Sequence, residues 1–192
     1  MSNTTDRTMT AERLAALPDD GKRYELVDGV LQTMSPAGGE HGEVAGEAYL
    51  QIAQHVKAHR LGKTFAAETG FLIQQSPDTV LAPDVSYVSF ERLGTFRKHR
   101  GYLPLAPDLV AEVISPHDRS REVESKTQAW LDAGVKVVLV VDPQASTIQV
   151  CRPAAAPKVH SDGFVDLNDV LPGFQLDVAE LFAKMQKTPT RC

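Results

Sequence analysis

The sequence predicts an α/β fold: a mixed β-sheet flanked by helices, with a β-hairpin near the N-terminus. Three observations predict it. Asp28-Gly29 separates two apolar-bearing runs, Arg23 to Val27 and Val30 to Met34. That dipeptide is a strong hairpin signal, because both residues of the tightest hairpin turn take positive φ. From about Glu40 to Arg60 the residues Val44, Ala45, Ala48, Tyr49, Ile52, Ala53 and Val56 recur at helical spacing, the mark of an amphipathic helix. Val137 to Val141 is a continuous apolar run and Leu109 to Ile114 nearly one, as in strands covered on both faces.

The remaining elements follow in order. Thr10 before Ala11-Glu12-Arg13-Leu14 reads as the cap of a short helix that ends near Pro18. Ser35-Pro36-Ala37-Gly38-Gly39 closes the hairpin, and Gly62 is expected to stop the long helix. β-like segments run from Thr64 to Ile73 and, past the turn-rich Ser76-Pro77-Asp78, from Asp84 to Val88. Pro107 and Pro116 bound the strand at 109–114. Arg119 to Ala133 reads as a second helix ended by Gly134. Thr147 to Cys151 is placed to pair back on 137–141 through Asp142-Pro143, and a short helix from about Val178 to Gln186 closes the chain. A mixed sheet with helices packed on it satisfies this order best. With no repeat or internal linker, residues 10–186 are expected to form one domain, and 1–9 and 187–192 flexible ends.

A chain of 192 residues, 42% hydrophobic and 23% charged, has the composition of one ordinary globular domain. No run approaches the roughly 18 consecutive apolar residues of a membrane-spanning helix. Residues 1–14 lack the basic stretch and apolar core of a signal peptide. Cys151 and Cys192 have neither zinc-site nor disulfide-scaffold spacing, so a reducing cytoplasmic home is the expectation. The net charge of -5 argues against a simple nucleic-acid binder. A local exception is Arg92, Arg97, Lys98, His99 and Arg100, which reads either as a solvated loop or as the first place for nucleic acid to bind.

Two carboxylates stand where a purely structural protein would not choose to put them. Glu112 interrupts an otherwise apolar strand, and a buried carboxylate must be paired, protonated or bound to a metal. Asp84 opens the run Asp84 to Val88 directly after Pro83. If the two strands are neighbours, both carboxylates can converge on a hard cation such as Mg²⁺. Taken singly, a buried salt bridge explains Glu112 and a strand-start turn explains Asp84; the pair is what points to chemistry.

Pro83-Asp84 followed by Glu112-Val113 resembles the PD…(D/E)XK signature of restriction-endonuclease-like proteins. Further segments resemble a bacterial family of Uma-type restriction endonucleases of unknown specificity: Tyr24 to Gly29, Met34-Ser35-Pro36, Glu40-His41-Gly42, Ala82 to Val85, Glu112 to Pro116, Ala133-Gly134-Val135, Val141-Asp142-Pro143 and Leu171-Pro172-Gly173. The ordered set spans roughly residues 10 to 182. It implies a restriction-endonuclease-like fold and Mg²⁺-dependent (or Mn²⁺-dependent) hydrolysis of phosphodiester bonds in nucleic acid, DNA first. A homodimer cutting both strands is the expected assembly. The rival expectation is a nuclease fold used only for binding.

The resemblance also implies roles. Asp84, Glu112 and the Val113 carbonyl would hold the metal. The superfamily lysine is expected two residues after the glutamate, where this chain has Ile114. Lys126, on the following helix, takes its place, reaching between Asp84 and Glu112. Glu25 matches a further polar position, from which it would reach the metal or fix a water. His41 matches another, from which it would touch a phosphate or hydrogen-bond Glu25. The ordinary alternatives are an exposed helix lysine, a surface hairpin carboxylate and a helix-start histidine. Trp130 departs from the family's usual tyrosine, and Lys136 to Leu139 lacks a common aromatic pair; neither is expected to touch the metal ligands.

Overall fold

The computed structural model describes residues 8–94, 101–116 and 118–183. In chain order the elements are α1 (Ala11–Ala15), β1 (Arg23–Val27), β2 (Val30–Met34), α2 (Gly39–His59), β3 (Gly62–Ala66), β4 (Phe71–Gln74), β5 (Thr79–Leu81), β6 (Val85–Ser89) and α3 (Phe90–Leu93). After 95–100 come β7 (Leu109–Val113), α4 (Ser120–Asp132), β8 (Val137–Asp142), β9 (Thr147–Cys151), β10 (Lys158–His160), β11 (Phe164–Asp166), β12 (Gln175–Asp177) and α5 (Val178–Leu181).

The expected mixed sheet is present with six strands, and two smaller sheets accompany it. A six-stranded sheet runs β10-β9-β8-β7-β6-β3, a four-stranded sheet runs β2-β1-β5-β4, and β11 pairs with β12 alone. β7 and β8 are parallel, and the other neighbours are antiparallel. That parallel pair requires a crossover, which α4 supplies.

Most elements lie where the sequence placed them. Thr10 caps α1 by accepting from the Arg13 N–H. The β1–β2 hairpin turns through Asp28 (φ 50°) and Gly29 (φ 76°), the two positive angles its dipeptide foretold. Two boundaries differ. α2 spans the expected stretch, but its C-terminal cap is Arg60 in the left-handed conformation (φ 55°) and not Gly62. Gly62 instead opens β3, where a Cβ would clash with the Val88 carbonyl oxygen. The continuous strand expected from Thr64 to Ile73 is two strands of different sheets, parted by a reversal in which Glu68 takes φ 72°. β5, β10, β11, β12 and α3 were not anticipated. The last helix extends only over Val178–Leu181, and its expected continuation past 183 lies outside the described residues.

Alternation along the six-stranded sheet divides the core. Leu109, Ala111 and Val113 of β7, with Val85 and Tyr87 of β6, face α2 and the C-terminal β11–β12 region. Val110 and Val88 face the other way, toward Trp130 of α4 and Phe71 of β4. A smaller cluster of Ala11, Leu14, Leu26 and Val80 seats α1 on the four-stranded sheet. Among the described residues no helix is long and apolar enough to cross a membrane.

Candidate active site

β6 and β7 are adjacent, with Val85 opposite Ala111. Extending that register by one residue sets Asp84 opposite Glu112, on the face of the sheet that looks toward α4. The neighbourhood that the two carboxylates needed is therefore present. The Asp84 side chain accepts the Val113 N–H through Oδ2 at 2.9 Å, tying the end of β6 to the strand that carries Glu112.

Three other elements deliver the remaining candidates. α4 lies over this face and extends Lys126, whose ammonium donates to Glu112 Oε2 at 3.2 Å and lies 3.1 Å from Oε1. The same Nζ donates to Glu25 Oε1 at 3.0 Å. Glu25, in β1 of the four-stranded sheet, is 4% exposed, and its Oε1 also accepts the Ala82 N–H at 2.9 Å. The first turn of α2 places His41 Nε2 3.3 Å from Asp84 Oδ2. Side chains from four elements and the 82–84 segment thus meet at one end of the sheet.

Some pairings differ from expectation. Lys126 stands between Glu25 and Glu112 rather than between Asp84 and Glu112. His41 pairs with Asp84 and not with Glu25. The sharpest correction concerns Trp130, one turn beyond Lys126 on α4: its indole N–H donates to Glu112 Oε1 at 2.8 Å, so it touches an expected metal ligand directly. In the basic cluster, Arg92 is a structural tie that donates to the Ala106 and Gly134 carbonyls. Arg97, Lys98, His99 and Arg100 lie outside the described residues.

Electrostatically the cluster is carboxylate-rich. Burial, with the charges of Glu25 and Asp84, pushes the Glu112 carboxyl up to about 7 against the pull of Lys126 and Trp130. Burial also opposes the Lys126 charge, but Glu112 and Glu25 outweigh it and hold the ammonium protonated above its ordinary range. The hydrogen bond to Asp84 raises the His41 imidazole, against desolvation and with help from the Val113 backbone.

The donor set fits a hard cation. Among the described residues no three His, Cys, Asp or Glu side chains make a ready cage. Mg²⁺ does not require one, since it keeps several waters and takes one or two carboxylates. Asp84 and Glu112 could supply these, and with Glu25 they set three carboxylates against the Lys126 ammonium and the His41 imidazole. Two concave regions, of about 430 and 490 Å³, lie elsewhere, one beside Arg152 and one between α4 and strands β8 and β9.

Comparison with known proteins gives the chain a family and a matching fold. The family model described as Uma2, putative restriction endonuclease, matches residues 11–179. The crystal structure of a putative nuclease belonging to DUF820 from Anabaena variabilis ATCC 29413 matches with a TM-score of 0.78, covering 91% of this chain and 97% of that one at 23% identity. At that identity the likeness is one of fold. No curated protein matches.

Proposed function

The chain belongs to the Uma2 family, described as putative restriction endonucleases, and from that premise we propose that it is a Mg²⁺-dependent endonuclease acting on phosphodiester bonds, with DNA as the first substrate to test. The observation that carries this reading is the meeting of Asp84, Glu112, Lys126, Glu25 and His41 at one end of the six-stranded sheet.

Asp84, Glu112 and the Val113 carbonyl would hold the cation. When bound, it supplies Lewis-acid chemistry, lowering the pKa of water and neutralising charge on the phosphate. The chain's own groups do the rest. His41 and the Val113 N–H engage Asp84 Oδ2, which fixes that carboxylate on the end of β7. Lys126 keeps its proton, so it can donate to a water or to the charge that develops on a phosphoryl oxygen. Glu25 anchors the same ammonium to the four-stranded sheet.

Asp84→Ala and Glu112→Ala are each expected to reduce Mg²⁺-dependent cleavage of plasmid DNA to background. Cleavage retained by either variant in a nuclease-free preparation would overturn the reading. Parallel rates on DNA, RNA and a chromogenic phosphodiester identify the substrate class. Light scattering tests the homodimer proposed to cut both strands, and a cytoplasmic location goes with this reading.

A second reading, a nuclease fold that only binds, is favoured by the net charge of -5 and by the ammonium already shared between Glu25 and Glu112. Calorimetry with Mg²⁺ and Mn²⁺ separates the two, since absence of binding at millimolar metal supports the binding module.

A further inference from the structure

The two oxygens of Glu112 are unequally occupied. A carboxylate offers about two acceptor positions on each oxygen. Oε1 accepts the Trp130 indole N–H at 2.8 Å and lies 3.1 Å from the Lys126 ammonium as an ion-pair contact, whereas Oε2 accepts its hydrogen bond from Lys126, at 3.2 Å. Oε1 is therefore held by a donor on a buried, packed ring, whereas the donor on Oε2 is the end of a flexible lysine side chain that can yield its place. Lys126 cannot create this asymmetry, because its Nζ reaches both oxygens at nearly the same distance.

The indole can. Trp130 is fully buried. Its ring meets Phe71 edge-on at 6.3 Å and 77°, and Phe71 meets Phe65 edge-on at 5.8 Å and 90°. A ring set in a packed aromatic row delivers its single donor in one direction, and a buried N–H left unpaired is costly. We infer that Trp130 is a positioning residue for Glu112: its N–H fixes the carboxylate so that Oε2 is the oxygen offered to a divalent cation, and its indole senses when that cation arrives. The inference rests on the metal-binding reading above and deepens it.

Trp130 is the single tryptophan of the chain, so the protein's indole emission reports on this one bond. The test titrates the full chain with Mg²⁺, following heat by calorimetry and indole emission in parallel, and repeats the calorimetry on Trp130→Phe. The expected result is an emission change that saturates along the calorimetric isotherm. The variant should bind Mg²⁺ about 10–100-fold more weakly, the usual effect of removing a group that orients a metal ligand. Circular dichroism melting establishes that the variant is folded, and if it is not, the emission of the unaltered chain decides. Normal Mg²⁺ binding with a silent indole would overturn the positioning role while leaving the metal reading intact. No Mg²⁺ heat at all would overturn both.

Discussion

Asp108 and Glu112 are two acids at opposite ends of β7, and the fold treats them in opposite ways. Asp108 is 1% exposed and surrounded by compensation. Its Oδ2 accepts the Ser89 N–H at 2.8 Å. Its Oδ1 lies 2.9 Å from Lys136 Nζ and 3.4 Å from Arg92 Nε, ion-pair contacts rather than aligned hydrogen bonds. Burial would raise its carboxyl, but the Ser89 N–H, Lys136 and Arg92 outweigh it and hold it below the ordinary range. Glu112 must instead share one ammonium with Glu25 while Asp84 stands nearby, and its carboxyl is raised. Burial alone does not separate them; local charge balance does. Two cations on one carboxylate make a clamp that joins β6, α3 and the start of β8. Two carboxylates on one ammonium, with a third close by, make a place that gives up stability for something else.

The largest test of this contrast removes the shared ammonium. Lys126→Met leaves Glu25 and Glu112 buried without their cation, and breaking a buried pair in this way costs about 3 kcal/mol or more. Urea unfolding in EDTA is expected to show that loss, and Mg²⁺ is expected to restore part of it by binding the carboxylates of the folded state. A loss below about 1 kcal/mol, the range of surface pairs, would mean that the Glu25–Lys126–Glu112 bridge is not a buried pair at all.

Asp108→Asn comes next. The amide oxygen can still accept from Ser89, so the variant loses the charge rather than the contact. About 2 kcal/mol is expected, the scale of hydrogen bonds and pairs made by an ionised group. The pH dependence carries the same signature. Because the folded carboxyl lies below its unfolded value of 3.8, its stabilisation is full above that value and disappears as pH falls through the folded pKa. The unaltered protein should therefore lose stability on acidification below about pH 4 more steeply than Asp108→Asn. Identical acid limbs would show that the clamp is inert.

How these two acids read in the sequence is instructive. Glu112 stood out because strand periodicity makes an acid within an apolar run expensive, and Asp84 because it opened a second strand. Glu25, His41 and Lys126 had no such local signal; the family resemblance alone singled them out, since each reaches the cluster from a different element. Asp108, the more deeply buried acid, passed unnoticed because it sits beside Pro107, where an acid looks like a strand-start residue. The Trp130–Glu112 bond is not legible in the sequence, because it depends on which face of α4 docks against β7, and spacing along one helix does not supply that. The split between β3 and β4 was hidden for a local reason: the reversal has Glu68, rather than a glycine, at positive φ. β5 was overlooked because three residues between two turns show no period.

Glu112→Gln should have the smallest effect on stability, and it is the substitution at which the two acids part most clearly. Glutamine keeps the shape, can still accept the Trp130 N–H and relieves the crowding of Glu112 by Glu25 and Asp84, so the metal-free fold should change by less than about 1 kcal/mol and in the stabilising direction. The sign follows from the carboxyl being raised. A folded pKa of about 7 against an unfolded 4.5 means that its contribution is fully present below 4.5 and lost as pH rises through 7. In EDTA the unaltered protein should therefore weaken between those values, and Glu112→Gln should not. Asp108→Asn should keep this neutral-range slope while flattening the acid limb. Should Glu112→Gln instead cost as much as Asp108→Asn, with no difference in slope near neutrality, Glu112 would be a second clamp, and the charge excess that marks this end of the sheet as a site would be gone.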